Sequence, residues 1–175
     1  MHTEPACAMA AGEIPPSFEA RTLVAVFASP VASHLLHFGR DLGFRCVLVE
    51  PDMEKAEEAG GAELASTVDP SFATDDADIV VTDHDRPELG RVLQAALLTR
   101  ARWIGVMGSP RHAAQHIPAL QALGVSDADI SRIHRPIGLN IGSKAPAEIA
   151  ISTLAGLIAD RNHRPGGFAF PLSSR

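Results

Sequence analysis

Short apolar runs alternate with segments of helical periodicity along most of this 175-residue chain. Runs of this kind predict strands that are buried on both faces of a sheet. Strands that alternate with helices form a parallel sheet, because each crossover uses a helix to return the chain. The predicted strands are 23–27, 44–49, 78–82, 103–106 and a short strand within 134–142. The predicted helices are 31–42, 53–59, 87–99, 110–123, 126–133 and 146–161.

The handedness of the crossovers predicts the order of the strands. Right-handed connections, with the first strand in the middle, give the order 3-2-1-4-5. The fold class that we predict is therefore α/β, a Rossmann-like doubly wound parallel sheet in a single domain. Its predicted bounds are 22–162. Residues 1–21 are rich in Ala, Pro and Glu and predict a flexible lead-in, and residues 163–175 predict a tail.

Charge and composition argue against several classes of function. Lys and Arg number 15 and Asp and Glu 21, which gives a net charge of −6 without any long basic run. This argues against binding to nucleic acid or to an anionic membrane surface. The longest apolar runs are shorter than the roughly 18 residues of a membrane-spanning helix. Residues 1–16 lack a signal-peptide pattern and the cysteines are few, so we expect a cytoplasmic protein.

In a doubly wound sheet, ligands bind beyond the carboxyl ends of the strands, near the point where the strand order reverses. The residues that follow the predicted strands are therefore the first candidates for a binding site. The candidates at this edge of the sheet are Ser29, Glu50, Asp83, His84, Gly108, Ser109 and Arg111.

The strand at 103–106 leads through Gly108 into a predicted helix start. Ser109 suits the N-cap position, and Pro110 suits the first helical position because no N–H is needed there. Free backbone N–H groups, the helix dipole and the guanidinium of Arg111 would together favour an anion. Turns of this kind also occur in βα units that bind no ligand, and this alternative stays open.

A second turn, at 142–146, precedes the last predicted helix and contains Gly142 and Lys144. Lys144 could hold the same anion from another direction. The alternative is an ordinary exposed lysine in a turn, and the sequence favours neither interpretation.

The first turn, at 27–32, lacks the glycines of a dinucleotide-binding motif. Those glycines let the backbone approach a pyrophosphate, and Pro30 removes one further N–H donor. Glu50 nevertheless lies about 20 residues on, where an acidic residue would hold a ribose hydroxyl. Half of the pattern therefore remains, and NAD(P) or FAD stays an alternative cofactor.

Two groups of histidines could carry chemistry. Asp83 and Asp85 flank His84 and could orient it as a general base, or the loop could be solvated, with its aspartates capping the next helix. His112 and His116 are four residues apart on a predicted helix, but no third ligand completes a metal motif. We therefore predict no metal site.

Residues 103–111 and 134–150 resemble the two signature segments of the XdhC/CoxI family. Members are accessory proteins for xanthine dehydrogenase and for related molybdenum hydroxylases such as carbon monoxide dehydrogenase. The resemblance implies a Rossmann-type domain that binds molybdenum cofactor (molybdopterin) and helps to bring its sulfurated form into the hydroxylase apo-enzyme. It implies a carrier or chaperone rather than an enzyme, with the glycine turns around Gly108 and Gly142 at the ligand.

The resemblance also implies partners. Longer members begin with a separate domain that holds a Ser-Gly-Gly-Cys-type motif, which we expect to be absent here. A short member could therefore work with a separate protein that carries this N-terminal domain, or with a sulfurase. A homodimer is a further expectation, since Rossmann-like domains of this size often pair.

The sequence departs from the family at two turns. Members usually have a glycine-containing turn, close to Gly-Ala-Gly-His, after the first strand, whereas this chain has Ala28-Ser29-Pro30. Members also have Thr before the last helix, where this chain has Ala145, so one N-cap bond should be missing. Two alternatives therefore stay open: a nucleotide-dependent oxidoreductase, and an interaction module that has kept the fold without a ligand.

Overall fold

Parallel strands form one sheet in the part of the chain that the structure describes, which is residues 5–12 and 21–167. The structure is a computed structural model. The strand order is β3-β2-β1-β4-β5-β6, and every pairing is parallel, which confirms the Rossmann-like α/β class. The strands are β1 (Thr22–Val26), β2 (Arg45–Val49), β3 (Glu63–Ala65), β4 (Ala77–Val81), β5 (Trp103–Val106) and β6 (Ile133–His134).

Helices cover both faces of the sheet. Helices α2 and α6 pack together on one face, and α3 and α4 pack together on the other. The helices are α1 (Pro5–Ala10), α2 (Pro30–Asp41), a 3₁₀ helix (Met53–Ala59), α3 (Leu89–Leu97), α4 (His116–Gln121), α5 (Asp127–Ile130) and α6 (Pro146–Arg161).

Two apolar cores explain why the central strands have almost no polar residues. Successive side chains of a strand point to opposite faces, so a strand with helices on both sides must be apolar at every position. In β1, Val24 and Val26 pack toward α3, whereas Leu23 and Ala25 pack toward α2 and α6. Every residue of β1 is buried.

Strand β3 was not predicted, and this changes the place of one strand that was. Because β3 is short and lies at the edge of the sheet, its residues are largely exposed and give no apolar run. The strand predicted third along the chain, 78–82, is β4 and pairs with β1. The strand order therefore reverses between β1 and β4. The predicted order 3-2-1-4-5 instead placed the strand at 103–106, which is β5, beside the first strand.

The predicted helix at 110–123 is wrong over its first half, because α4 contains only six residues and begins at His116. Ser109 Oγ accepts a hydrogen bond from Arg111 N at 3.2 Å, but the turn does not continue as a helix. The guanidinium of Arg135 donates to the carbonyl oxygens of Ser109 and His112, which the next helical turn would need. Pro118 lies in the first turn of α4, and a helix that began at Pro110 would place this proline in its interior, where it is not tolerated.

Other local predictions are confirmed. Gly43, with φ +79°, follows the last turn of α2 in the predicted left-handed position. Ser126 Oγ accepts from Asp129 N at 3.2 Å and caps α5. Helix α6 begins at Pro146, and Ala145 supplies no side-chain cap, as the sequence predicts.

The predicted ends of the domain are only partly covered by the structure. Within the lead-in at 1–21, residues 5–10 form α1, which the composition did not predict. Residues 1–4 and 13–20 of the lead-in, and 168–175 of the tail, lie outside the described residues. The strand predicted within 134–142 is limited to the two residues of β6, and a loop follows it. No helix in the described part of the chain is long and apolar enough to cross a membrane.

Candidate ligand site at the carboxyl edge of the sheet

The carboxyl ends of β1, β2 and β4 bring together Ser29, Glu50 and Thr82. Ser29 Oγ and Thr82 Oγ1 share a hydrogen bond of 2.9 Å, and Ala28 N donates to Glu50 Oε2 at 2.8 Å. Two of the predicted site residues, Ser29 and Glu50, are therefore neighbours through the first turn. Thr82 was not predicted, although its place directly after an apolar run was a usable signal.

Glu50 is completely buried, and its carboxylate is occupied by the protein itself. Oε1 accepts from Asp52 N at 2.9 Å and from Arg86 Nη2 at 2.8 Å. Oε2 accepts from Ala28 N and, at 3.3 Å, from Arg86 Nη1. A carboxylate has about four lone-pair sites, so this set uses its accepting capacity. The predicted role of Glu50 in holding a ribose hydroxyl therefore does not fit, and Glu50 instead ties the first turn to the sheet.

The charge of Glu50 is maintained despite its burial. Burial alone would raise the pKa of Glu50, but the hydrogen bonds from Arg86, Ala28 and Asp52 outweigh it, so the pKa is lowered. The same pair raises the pKa of Arg86, whose guanidinium also lies 4.7 Å from the centroid of the Phe27 ring. Arg86 was missed by the sequence reasoning, since no spacing rule connects it to Glu50.

Phe27 takes an unusual backbone conformation at the start of the first turn. Its φ is +71°, a value that is uncommon for a bulky residue, and its side chain is fully buried. Thr82 Oγ1 donates to Phe27 O at 2.9 Å, and Phe27 N donates to Val49 O at 2.8 Å. Contacts from both neighbouring strands therefore hold a turn that contains no glycine.

Two backbone donors of the first turn are engaged within the protein, and a third position has none. Ala28 N donates to Glu50, Ala32 N donates to Ser29 Oγ at 3.0 Å, and Pro30 has no N–H. A dinucleotide pyrophosphate is held by free N–H groups at this turn. The geometry argues against pyrophosphate binding here, whereas NAD(P) or FAD binding itself stays an untested expectation.

In the turn after β5, the N–H groups of Gly108 and Ser109 have no hydrogen-bond acceptor among the described residues. Without the predicted helix, the helix dipole cannot contribute to an anion seat here. Arg111 is exposed. The cation that lies against the turn is Arg135, since a Cβ built on Gly108 would be 2.7 Å from Arg135 Nε. Close approach of Arg135 therefore explains the glycine.

The loop after β4 contacts the turn after β5. Asp85 N donates to Asp83 Oδ1 at 3.0 Å, which forms a tight turn, and His84 Nε2 lies 3.8 Å from Asp85 Oδ1. The ring centroids of His84 and His112 are 6.3 Å apart. Gln115 Nε2 donates to Asp85 Oδ1 at 3.3 Å. The general-base role of His84 stays a prediction, whereas its proximity to His112 was not predicted.

Gly142 and Lys144 lie in the exposed loop before α6. At the far end of α6, Arg161 Nε donates to Asp78 Oδ2 at 2.8 Å, near the amino-terminal end of β4. Helix α6 therefore runs back along the strands, and its first turn points toward the carboxyl edge. Within the described residues, Lys144 makes no hydrogen bond or ion pair with another predicted site residue.

The described residues lack the cluster of ligands that a metal site requires. No group of at least three His, Cys, Asp or Glu side chains there could hold a metal ion.

The two sequence segments that resemble a family signature are adjacent in the sheet. Strand β5 pairs with β6 through Ile104 opposite Ile133, and the ring of Trp103 stacks on that of His134 with centroids 5.0 Å apart. Arg135 then reaches Gly108 and Ser109. The family model of the XdhC Rossmann domain matches residues 23–157. The chain belongs to the XdhC family.

Two known proteins are similar to this XdhC domain. The uncharacterized protein YqeB of Escherichia coli (strain K12) is 35% identical over 89 residues, which covers 51% of this chain and 16% of YqeB. A crystal structure of a xanthine dehydrogenase from Bacillus halodurans matches with a TM-score of 0.64 and 24% identity, over 82% of this chain and 45% of that chain. The second likeness shows the fold. The chain spans less than half the length of either protein.

Proposed function

We propose that this domain serves in an accessory protein for the maturation of molybdenum hydroxylases of the xanthine dehydrogenase type. The observation that carries the proposal is the match of the XdhC Rossmann domain to residues 23–157. The structural relative described as a xanthine dehydrogenase also supports a role connected with this class of enzyme. In this role the domain binds molybdenum cofactor and delivers it to the apo-enzyme, as a carrier rather than as an enzyme.

The turn after β5 is the part of the edge best suited to a phosphate-bearing pterin. Gly108 and Ser109 offer N–H groups without acceptors among the described residues, and Arg111 is exposed beside them. The first turn offers less, because Glu50 and Ser29 engage the N–H groups of Ala28 and Ala32 and Pro30 has no N–H. We therefore expect the phosphate of the cofactor at Gly108 and Ser109.

Transfer of cofactor tests the proposal directly. Purified protein is incubated with molybdenum cofactor, added to a hydroxylase apo-enzyme, and the recovered hydroxylase activity and the affinity for cofactor are measured. We expect binding at micromolar protein and faster reconstitution than with free cofactor. Absence of binding to both cofactor and apo-enzyme would contradict the proposal. A second arm adds a protein that carries the family's N-terminal domain, or a sulfurase, which should increase reconstitution.

Arg111→Ala tests the position of the phosphate. Loss of a charge-assisted hydrogen bond should weaken cofactor binding by about 1–3 kcal/mol, while the exposed position leaves the fold intact. The matched control is Arg100→Ala, since Arg100 is also exposed and pairs only with exposed Asp75. Equal affinity of both variants would put the phosphate elsewhere.

The dinucleotide alternative has its own test. Thermal unfolding is followed with NAD(H), NADP(H) and FAD at millimolar concentration. A ligand with a micromolar dissociation constant should stabilise the fold by about 4 kcal/mol. Stabilisation of that size by one of these ligands would favour an oxidoreductase over a carrier, whereas no shift would remove the alternative.

A further inference from the structure

A cleft of about 400 Å³ lies beside β6, away from Ser29 and Glu50. Helices α4 and α5 and the residues around β6 form its walls. The apolar part of its lining consists mainly of Ile117, Ile130 and Ile133, and its polar part includes His116 and Arg135. A cavity of this volume is in the range that small-molecule sites occupy. None of the residues predicted as a binding site lines it.

Two polar side chains in this cleft have unused hydrogen-bonding atoms. The His116 side chain is 95% buried, with a relative exposure of 5%, and its Nδ1 has no partner among the described residues. Arg135 is partly buried, and its buried Nε likewise has no partner among the described residues. Buried polar atoms without partners are uncommon, because each costs the free energy of its lost hydration. Both residues line one cleft, so the protein itself does not satisfy all the polar atoms of the cleft wall.

The charge of Arg135 indicates the sign of a group that would bind there. Its Nη atoms donate to the carbonyl oxygens of Ser109 and His112, and no carboxylate of the described residues pairs with it. Asp127 also lines the cleft, but it is exposed, so water and salt screen its negative charge. A guanidinium that has only neutral partners favours an anion, since a bond to a charged acceptor is stronger.

His116 complements this charge without competing for the anion. Burial lowers the pKa of His116, and the positive charge of Arg135 lowers it further. The imidazole is therefore neutral at pH 7 and can donate or accept one hydrogen bond. Because Arg135 is one of the groups that shift this pKa, the two side chains are electrostatic neighbours.

We propose that the cleft binds a small organic anion, a carboxylate or a phosphate ester attached to an apolar body. Arg135 holds the anion, His116 bonds a polar atom beside it, and the isoleucines contact the apolar body. This proposal does not rest on the maturation function, because its ligand differs from the cofactor, although Arg135 also bonds the Ser109 carbonyl at the border of the turn after β5.

Titration with simple probes tests the site. The full chain, labelled at isoleucine methyl groups, is titrated with benzoate and with phenyl phosphate up to about 10 mM, a range that detects weak binding. We expect saturable shifts at Ile117, Ile130 and Ile133 with at least one probe. The tighter probe identifies the carboxylate or the phosphate ester as the class of ligand. Benzamide, a neutral shape match of benzoate, should bind at least about tenfold more weakly than benzoate if benzoate binds.

Variants separate the charge of Arg135 from a general effect on the surface. Arg135→Gln should weaken the binding probe on the order of tenfold, because it removes the cation. Arg132→Gln is the matched control, since Arg132 is an exposed arginine nearby that pairs with Asp129 and does not line the cleft, and it should leave the affinity unchanged. Unfolded Arg135→Gln protein would leave the comparison with benzamide in the wild type as the deciding measurement.

Three results would overturn this inference. The first is the absence of saturable isoleucine shifts with both probes. The second is equal affinity for benzoate and benzamide when phenyl phosphate does not bind. The third is equal affinity of folded Arg135→Gln and wild-type protein for the probe that binds. Failure of cofactor transfer would not affect it, because the titration uses neither cofactor nor hydroxylase.

Discussion

Glu50 illustrates how burial changes the role of a side chain. About 20 residues after a first strand, an acidic residue can hold the ribose of a dinucleotide. In this chain the carboxylate is fully buried and accepts four hydrogen bonds from Ala28, Asp52 and Arg86. The residue type and its spacing are those of a ligand contact, whereas its partners are those of a structural link.

Glu50→Gln should therefore destabilise the fold. The substitution leaves Arg86 nearly buried, with 11% of its side chain exposed and with only the Glu88 carboxylate, at 3.3 Å, as its remaining counter-charge. Removing one partner of a buried pair typically costs about 3–5 kcal/mol. Urea unfolding at pH 7 measures the loss. Glu63→Gln is the control, because the Arg45–Glu63 pair is about half exposed, and it should cost no more than about 1 kcal/mol.

The same carboxylate predicts a loss of stability in acid. Its pKa in the folded state is lowered from the ordinary 4.5, so the unfolded chain takes up a proton first as the pH falls. The contribution of Glu50 is fully present above about pH 4.5 and is lost below it. Unfolding free energies between pH 3 and 7 should show a smaller drop for Glu50→Gln than for wild type.

His116 predicts a second pH dependence, with its own window. Burial and Arg135 lower its pKa from 6.5, so the unfolded chain gains a proton that the folded chain lacks as the pH falls below that value. Stability should decrease as the pH falls through about 6.5. Histidine proton shifts and unfolding free energies between pH 5 and 8 measure this. His116→Gln should reduce the decrease, whereas His37→Gln, at an exposed position, serves as the control.

At the scale of the elements, one helix start has a side-chain cap and another does not. The N-cap residue of α5 is Ser126, whose hydroxyl accepts from Asp129 N, whereas the N-cap residue of α6 is Ala145, which has no side-chain cap. The backbone of Ala145, with φ −73° and ψ 129°, already has the extended conformation of an N-cap residue. A hydroxyl at this position would meet the free N–H groups of the first turn.

Ala145→Ser should therefore stabilise the protein by about 1 kcal/mol. The measurement is the free energy of unfolding in urea. Ser126→Ala is the complementary variant and should destabilise α5 by a similar amount, because it removes the observed cap. An unchanged or lower stability of Ala145→Ser would mean that the first turn of α6 already has other acceptors.

The turn between β5 and α4 shows the opposite case, in which a helix-start pattern in the sequence does not begin a helix. Ser109 and Pro110 form a good helix start in sequence, yet the helix begins only at His116. Arg135 takes the carbonyl oxygens of Ser109 and His112, and Gly108 leaves space for its guanidinium. Arg135 is more than twenty residues away, but Pro118 is a local signal that also limits where the helix can begin, because proline is tolerated only in the first turn.

At the scale of the whole molecule, Asp78 connects the sheet to its last helix at the amino-terminal edge. It is fully buried and accepts from Arg102 Nε at 2.7 Å and from Arg161 Nε at 2.8 Å. Arg102 precedes β5 and Arg161 ends α6, so one carboxylate connects three elements. This network lies at the opposite end of the strands from the candidate ligand site.

Asp78→Asn should destabilise the whole domain without affecting ligand binding at the carboxyl edge. Arg161 then loses its counter-charge and Arg102 keeps only the more exposed Asp160, which should cost about 3 kcal/mol. Urea unfolding measures the loss, and cofactor or benzoate binding to the folded fraction should stay unchanged. Asp75→Asn is the control, because both Asp75 and its partner Arg100 are largely exposed, and it should cost less than about 1 kcal/mol.

The fold class, the central strands and the long helices could be predicted from the sequence, because burial on both faces of a sheet leaves an unbroken apolar run. Residues 103–106 are an example, since the predicted strand coincides with β5. Helix α6 was equally predictable from Pro146 and its periodic apolar face. Strand β3 was missed because an edge strand of three partly exposed residues needs no apolar run.

For the site, the sequence by itself determined which polar residues follow the strands, including Ser29, Glu50 and Ser109. Only the tertiary structure decided which of them have free hydrogen-bonding groups. Glu50 is occupied by Arg86, and Arg135 bonds the carbonyl oxygen of Ser109 and lines a cleft with His116. The physical reason is that strand ends are set by local apolar patterns, whereas the partners of a buried charge come from segments distant in the chain.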